Sequence, residues 1–574
     1  WLEDFPHPGC CPDPSPCRRT PGRLRAMEAG QAYVQGEVLR VKPSQASVRD
    51  LPLLQGLPEN KQNNKLKVIH AGADLMEQYP PLPDERSCKD VIWGLIFTAL
   101  AVGIGIYLYL NMDLFERINS QVSSTTAMPG TEPPEDIAVN VQAGDLALQP
   151  KRVLSALLAA TVGAFITANA YVFLAHHATT CVVWTGLIVS PTLFIAIGIS
   201  LIAIGHKSYL LVGAAFLVAG LCNICMVMVW RRHIPFTVSV AKVVTDVIRD
   251  HCCLLVVPIV GAIATTIWCV VCMVAFVGYV LKNFPDSETS GSSDQAADTK
   301  AKDVSALIYV LLFLFAFVFA WGAGVMYNIS HITTCGVFAR WYYKGLATDS
   351  DSESSTDSEG GNRVRSPLWP SFKVAIGTSF GSNCLGSLLV AVVSALRQVA
   401  EQGQRDAARD CDYVACVCLC ILSCVLSCIE DMLEYFNEWA YVQCAVRGTS
   451  FCDSARITFA LMTCSNMKYV VADLLLNSIV SLGGLVCGLL AALCAGITDY
   501  ALGGGAERSL FCLAVGLVIG LPIGMTSLST ISSGTKTVLA CFADDPEPLQ
   551  VTHSFIASEF NTKIRGGIRG ALGS

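Results

Sequence analysis

Residues 436–456 read FNEWAYVQCAVRGTSFCDSAR and lie between two apolar runs, at 412–429 and 470–498. Each run is long enough to cross the hydrocarbon core of a bilayer, whereas the segment between them is too short and too polar to do so. We therefore interpret 436–456 as an elbow beside a membrane. Gly448 permits a tight turn or a close helix contact within that elbow.

The composition of the whole chain also indicates a membrane protein. Of its 574 residues, 53% are apolar and only 15% are charged, which is more apolar than a soluble core requires. The net charge of -7 lies mostly in tails and loops and gives no reason to expect a nucleic-acid partner. Most of the 26 cysteines fall inside apolar runs, where a thiol behaves as a small hydrophobe, so they do not indicate a compartment.

Ten apolar runs of membrane-spanning length follow one another along the chain. They lie at 91–110, 153–175, 180–204, 209–230, 252–281, 304–327, 374–396, 412–429, 470–498 and 509–533. The last run carries Gly516, Gly520 and Gly524 at every fourth position, and such ridges let helix backbones approach closely. The sequence therefore predicts an all-α fold, a polytopic transmembrane helical bundle of about ten spans.

The segments outside these runs are polar. Residues 1–26 begin with Trp and are rich in Pro, Arg and Cys, and we interpret them as an untranslated or artefactual leader. Residues 27–85 show no sustained periodicity and are expected to form a disordered tail. The acidic, Ser-rich insert at 346–366 has too little apolar surface to fold, and 541–574 are expected to form a second tail.

Basic residues that flank the spans indicate the orientation of the chain. They are Lys65, Lys67, Arg86 and Lys89 before the first span, and Arg231, Arg232, Lys242 and Arg249 after the fourth. Both termini and the insert 346–366 are therefore expected to be cytoplasmic, and the loop 111–150 extracellular. The same orientation makes the basic segment 397–411 extracellular, so two interpretations of 412–429 stay open, a full span or a re-entrant segment.

Several motifs resemble those of the choline transporter-like family of polytopic membrane proteins, over about residues 80–550. The elbow resembles the family signature NxxAYxxxAxxGxSFCxSA at Asn437, Ala440, Tyr441, Gly448, Ser450, Phe451, Cys452, Ser454 and Ala455. The seventh span resembles GSxxxGS at Gly381, Ser382, Gly386 and Ser387, and the entry to the first span resembles RxCxDV at Arg86, Cys88, Asp90 and Val91. For the small residues of the elbow, two roles stay open, helix packing and direct contact with substrate.

The resemblance implies a transporter domain at 86–540 that moves choline or a related quaternary amine by alternating access, without a cofactor. A quaternary ammonium donates no hydrogen bonds and is best held by aromatic faces. Trp321 lies fifteen residues before Gly336, as in the family, and is the first candidate ligand. Chemistry alone adds Tyr171 with Asn169, Trp184 and Trp268, although aromatic residues at span ends also serve as interface anchors.

One position departs from the family pattern. The last span ends in SGTKTVLACFADD, which places Lys536 where the family has Asp. If the family's acid binds a coupling ion or substrate, Lys536 changes the handling of cations. If the acid only anchors the span at the cytoplasmic surface, Lys536 can do so equally well.

Other functions compete with a carrier. The alternatives are a non-transporting lipid-handling or scaffold protein on the same fold, and a membrane enzyme that acts on phospholipid head groups. We expect no enzyme and no metal site, because the chain has no P-loop, and no GxSxG or HExxH in a suitable context. The expected partners are a choline-like small molecule and the lipid bilayer. The expected location is the plasma membrane, with an organelle membrane as the alternative.

Overall fold

The computed structural model describes residues 43–45, 51, 54, 58–111, 150–205, 207–283, 296–347, 367–409, 412–464, 468–503 and 505–572. Sixteen α-helices follow one another through these residues. They are α1 Glu59–Gln78, α2 Val91–Leu110, α3 Pro150–His177, α4 Thr179–Ala203, α5 Lys207–Trp230, α6 Ile234–Asp250, α7 Val257–Asn283, α8 Ala296–Ala347, α9 Leu368–Ile376, α10 Phe380–Arg409, α11 Tyr413–Arg447, α12 Phe451–Cys464, α13 Lys468–Ala501, α14 Ala506–Asp544, α15 Glu547–Thr552 and α16 Ser554–Leu572. Short 3₁₀ turns at Pro43–Gln45, Arg231–His233 and Cys252–Leu255 complete the regular structure of the described residues.

Ten helical segments of the described chain are long and apolar enough to cross a membrane. They are Val91–Leu110, Ser155–His177, Thr179–Ala203, Tyr209–Asp250, Cys252–Val280, Val310–Tyr343, Phe380–Arg409, Tyr413–Arg447, Lys468–Ala501 and Arg508–Asp544. The prediction of an all-α polytopic bundle with about ten spans is confirmed. The predicted leader 1–26, most of the loop 111–150 and most of the insert 346–366 lie outside the described residues.

The elbow is much shorter than predicted. Helix α11 continues through the polar residues to Arg447, and the turn is confined to Gly448, Thr449 and Ser450. Gly448 adopts a left-handed conformation with φ of 69°, which a residue without a side chain reaches without strain. The prediction for 436–447 was wrong because protein groups satisfy its polar side chains. For example, Asn437 Nδ2 donates to Gly386 O at 2.9 Å.

The seventh span is interrupted where the sequence predicted one run from 374. Helix α9 ends at Ile376, and α10 begins at Phe380 after a break of three residues. Gly381, in the first turn of α10, lies against the backbone carbonyls of Lys89 and Asp90, where a Cβ has no room. The break thus lets the chain leading into α2 pack directly on the start of α10. Helix α11, by contrast, is continuous from Tyr413, which favours a full span over a re-entrant segment.

Part of the predicted amino-terminal tail is folded. The prediction of disorder throughout 27–85 is wrong for Glu59–Gln78, which form α1. Ile69 and Ala73, one turn apart, are both buried, and Ile69 belongs to a small cluster that includes Ala460 of α12. The reason is that two or three apolar residues on one face suffice when a neighbouring helix covers them.

The centre of the bundle is the helix pair α13–α14, with α3 packed against both. Gly516, Gly520 and Gly524 of α14 face α13, where added Cβ atoms meet Ala495, Ala491 and Cys487 in turn. The predicted glycine ridge is therefore a helix contact. Lipid tails are as apolar as the side chains, so burial from lipid does not hold the two helices together. Close backbone approach stabilises the pair instead, through van der Waals contacts.

Candidate functional site

The three motifs read from the sequence meet at Asp90, the residue before α2. The carboxylate oxygen Oδ2 of Asp90 accepts a hydrogen bond from Ser382 Oγ at 2.7 Å and from the backbone N–H of Phe451 at 2.8 Å. Arg86, four residues earlier in the same non-helical segment, donates to the carbonyls of Ala445 at 2.9 Å and Val446 at 3.1 Å, at the end of α11. The entry to α2 therefore joins α10, α11 and α12.

The remaining motif residues contact each other as well. The hydroxyl of Tyr441 donates to Asn383 O at 3.3 Å and lies 3.4 Å from Ser387 Oγ. A Cβ on Gly386 has no room beside the Tyr441 hydroxyl and the Phe451 ring, so this position requires glycine. Ala440 and Ser454 are fully buried, Ala455 is half-buried and Cys452 is exposed. These contacts favour helix packing as the role of the elbow motif.

Trp321 and Trp268 lie in one aromatic cluster, which we define as Phe97, Trp268 and Trp321. The Phe97 ring centroid is 5.3 Å from that of Trp321 and 5.4 Å from that of Trp268. Trp321 is only 3% exposed, and its Nε1 donates to Cys384 O at 2.9 Å. Phe97 was not among the predicted ligands, because a phenylalanine inside an apolar span is unremarkable until its burial is known.

The other predicted ligands make their contacts elsewhere. The hydroxyl of Tyr171 donates to Ile479 O at 2.8 Å, and its ring packs against Gly483 of α13. Asn169 is half-buried, and its Nδ2 donates to Phe165 O of its own helix at 2.8 Å. Trp184 is 44% exposed on the outside of the bundle. The structure does not bring these three residues to the aromatic cluster.

A shallow depression of about 260 Å³, largely open to the outside of the bundle, adjoins the aromatic cluster and is named the aromatic cavity. It lies between α2, α7 and α8 and is lined by Ile104, Tyr107, Cys272, Ala275, Phe276, Tyr279, Leu311, Leu314, Phe315 and Val318. Cys272 also belongs to the buried group that contains Trp268 and Trp321, so the two features share a wall. The buried hydroxyl of Tyr107 has no hydrogen-bond partner in the described part of the chain. The cavity offers aromatic faces and one unpaired hydroxyl.

A group of charges is buried between α11, α13 and α14, and we name Glu438, Asp473 and Lys536 the charged cluster. Lys536 is 1% exposed, with its Nζ 3.3 Å from Asp473 Oδ2 and 3.2 Å from Glu438 Oε2. The ammonium also lies over the ring of Tyr435, 5.6 Å from its centroid. Tyr435 in turn donates to Asp473 at 3.0 Å. Ionisable groups that are this well buried in protein are costly, so we take the charged cluster as a candidate functional site.

His331 joins α8 to the charged cluster. Its Nε2 is 2.9 Å from the backbone oxygen of Glu438, and because a carbonyl can only accept, Nε2 carries a hydrogen. Its Nδ1 is 2.8 Å from Ser533 Oγ on α14, so a neutral ring with Nδ1 as acceptor satisfies both contacts. His331 lies ten residues after Trp321 on the same helix, a rise of about 15 Å.

The burial of Lys536 contradicts the interpretation of this residue as an anchor at the cytoplasmic surface. An anchor at the membrane surface is exposed, whereas this ammonium is enclosed by two carboxylates and an aromatic ring. Sequence reasoning flagged Lys536 but missed Glu438, Asp473 and His331. One sequence signal could have identified part of this cluster. Asp473 is an acidic residue inside the apolar run at 470–498, where an acid is unusual.

The ten candidate spans, with ionisable groups buried between their helices, define the class of the protein as a polytopic helical membrane protein. Residues 214–547 match the family model described as plasma-membrane choline transporter, and the chain belongs to this family. The resemblance found in the motifs is thereby confirmed.

Fungal proteins named PNS1 are similar to the chain. The protein of Eremothecium gossypii is 27% identical over 383 residues, which cover 65% of each chain. That of Gibberella zeae is 26% identical over 401 residues, 69% of this chain and 70% of the relative. That of Debaryomyces hansenii is 29% identical over 327 residues, 56% and 60% respectively. The chain thus spans about two thirds of the length of these relatives.

Proposed function

We propose that the chain carries choline or a related small quaternary amine across a membrane by alternating access. The observation that carries this proposal is the aromatic cavity beside Trp268 and Trp321, in a member of the plasma-membrane choline transporter family. A quaternary ammonium forms no hydrogen bonds through its methyl groups, so aromatic rings that face it provide the attraction. Tyr107, Phe276, Tyr279 and Phe315 line the cavity, and its Tyr107 hydroxyl can meet the substrate's own hydroxyl.

The charged cluster suggests how transport is driven. A coupling cation needs carboxylate charge that no other cation has offset, but the Lys536 ammonium already pairs with Oδ2 of Asp473 and Oε2 of Glu438, while Asp473 Oδ1 has no hydrogen-bond partner in the described part of the chain. The ammonium therefore takes the place that a bound cation would occupy in a coupled carrier. We propose that the amine moves down its own electrochemical gradient, and that the charged cluster holds α11, α13 and α14 together during the cycle.

The proposed orientation places both termini and the insert 346–366 in the cytoplasm and the loop 111–150 outside the cell, with the plasma membrane as the location. This proposal rests on the basic residues before the first span and after the fourth. Protease treatment of sealed, oriented vesicles tests it, because cleavage within 346–366 is expected only from the cytoplasmic face. Cleavage of the intact insert from the outer face alone would reverse the orientation.

Uptake of labelled choline into vesicles that contain the purified protein tests the main proposal. Accumulation should saturate, be competed by unlabelled choline and increase when the vesicle interior is made negative. Tyr107→Ala should weaken apparent affinity, whereas Trp184→Ala, which removes an exposed ring on the outside of the bundle, should not. No protein-dependent uptake would favour the lipid-handling or scaffold alternative.

An enzyme acting on phospholipid head groups receives less support. The sequence GTSFG at 377–381 fits the GxSxG pattern, but it lies in the break between α9 and α10. The hydroxyl of Ser379 donates to Cys444 O at 3.3 Å, a backbone acceptor that cannot act as a catalytic base. Release of a head group from labelled phospholipid by the purified protein would revive this alternative.

A further inference from the structure

A second cavity, of about 370 Å³, is lined by basic side chains and is named the basic cavity. Its wall consists of Leu82, Pro83, Asp84, Arg86, Arg340, Lys373, Val374 and Thr378. The three cations come from separate elements, namely the segment before α2, the end of α8, and α9. Within the described residues none of them forms an ion pair with a carboxylate. The cavity therefore combines three positive charges with one negative charge, that of Asp84.

The two arginines are held in place although their charges repel each other. Arg86 is fixed by its bonds to Ala445 O and Val446 O, and Arg340 Nε donates to Ser371 Oγ at 3.3 Å. Burial, together with the positive charge of Arg340, lowers the pKa of Arg86 to about 10. A bound anion would offset this repulsion, and guanidinium groups are well suited to phosphate oxygens.

An apolar groove of about 430 Å³ lies on another side of α9, between α7, α8 and α9. It is lined by Cys253, Val256, Val257, Val260, Gly261, Ala264, Met326, Ile329, Ser330, Thr333, Leu368, Trp369, Phe372 and Ile376. From Val256 to Ala264 it follows α7 for about 12 Å. Lys373 faces the basic cavity, and its Nζ lies 5.5 Å from the ring centroid of Trp369, which lines the groove. The groove and the basic cavity are therefore neighbours on one short helix.

We propose that an anionic phospholipid of the bilayer binds here, with its phosphate in the basic cavity and an acyl chain in the apolar groove. Charge selects the head group, because the positive charges of Arg86, Arg340 and Lys373 exceed that of Asp84 and would repel the quaternary ammonium of phosphatidylcholine. The groove selects a molecule with a chain over a free phosphate. Trp369, which is 59% exposed beside a lysine, suits the interface between head groups and hydrocarbon. The bound lipid would connect α9 to α8, which carries Trp321 and His331.

The test compares phosphatidylserine with phosphatidylcholine as ligands of the purified full chain, by counting retained lipids with native mass spectrometry. Arg340→Gln and Lys373→Gln should each lower the apparent affinity for phosphatidylserine about fivefold, because each positive charge near the membrane surface raises the affinity for an anionic lipid by about that factor. Arg232→Gln removes an exposed cation elsewhere and serves as the matched control. Ala264→Phe fills the groove without a change of charge and should also reduce retention.

Melting temperatures in detergent identify any variant that fails to fold. If Arg340→Gln fails, Lys373→Gln, which changes an exposed side chain, tests the charge, and if Ala264→Phe fails, Ala264→Leu tests the groove. Equal retention of phosphatidylserine and phosphatidylcholine by the wild-type chain would overturn the proposal. The proposal would also fail if glycerophosphoserine, which has no acyl chains, competed as well as the intact lipid and Ala264→Phe had no effect on retention. A third result would also contradict the proposal. If the acids at 349–360 are neutralised and Arg340→Gln then no longer lowers the retention of phosphatidylserine, the basic cavity binds that acidic run of the chain and not a lipid.

Discussion

Lys536→Met should destabilise the protein strongly, because it leaves two carboxylates in the bundle without their cation. Lys536 and Asp473 are each 1% exposed, and Glu438 is 21% exposed. Removing one partner from such a buried ion pair costs about 3–5 kcal/mol, most of it the penalty for the charge left behind. The loss should fall mainly on Asp473, since water can still reach Glu438.

The double variant Lys536→Met with Asp473→Asn should recover most of that loss, because the uncompensated buried charge is then absent. Arg456→Met is the control, since Arg456 is 57% exposed and its pair with Asp453 contributes at most about 1 kcal/mol. Unfolding in mixed micelles with increasing sodium dodecyl sulfate measures the three free energies. If Lys536→Met costs no more than Arg456→Met, the charged cluster is solvated and our reasoning about it fails.

Three further predictions concern substrate affinity, packing and coupling. Trp321 is buried behind the wall of the aromatic cavity, so the ammonium reaches its ring only if the transport cycle opens that wall; Trp321→Ala should then weaken the apparent affinity for choline roughly 30-fold, the equivalent of a cation-π contact of about 2 kcal/mol, while Trp321→Phe keeps part of it and Trp321→Leu resembles Ala. Competition uptake at matched amounts of folded protein measures this, and wild-type affinity in Trp321→Leu would remove the ring from the binding site. Gly386→Ala should lower the yield of folded protein, because the added Cβ overlaps the Tyr441 hydroxyl. Adding Tyr441→Phe to this variant should restore part of the yield, which size-exclusion profiles measure. No rescue would mean that the Phe451 ring is the limiting contact. Choline uptake should be unchanged when a Na⁺ gradient is collapsed and should follow the membrane potential, whereas a strict requirement for Na⁺ would contradict the role given to Lys536.

The spans could be predicted because a run of about twenty apolar residues has few alternatives to a membrane helix. Helix α1 could not, because its buried face has few apolar residues, such as Ile69 and Ala73, and depends on α12 to cover it. The predicted elbow was too long for a similar reason. The polarity of 436–447 indicates exposure only if no protein group is present to bond Asn437 and its neighbours.

The candidate site was predicted only in part. Trp321 followed from family spacing and Trp268 from chemistry, and the structure places both beside Phe97. The charged cluster could not be assembled from sequence, because Glu438, Asp473 and Lys536 lie on three helices and are separated by 35 and 63 residues. Such partners have no fixed spacing along the chain, so only the tertiary packing of α11, α13 and α14 brings them together.

Helix α8 has a mechanical consequence for the transport cycle. It is one continuous helix of 52 residues without a proline, and it carries Trp321, His331 and Arg340 in that order. The first and last of these are separated by about 29 Å along a single axis. A tilt of about 5° around one end of that distance displaces the other end by about 2.5 Å, which is more than enough to break a hydrogen bond. Helix α8 would thus couple the aromatic cluster, the charged cluster and the basic cavity mechanically. An amine that displaces Trp321 would also move Arg340, at the opposite end of this distance.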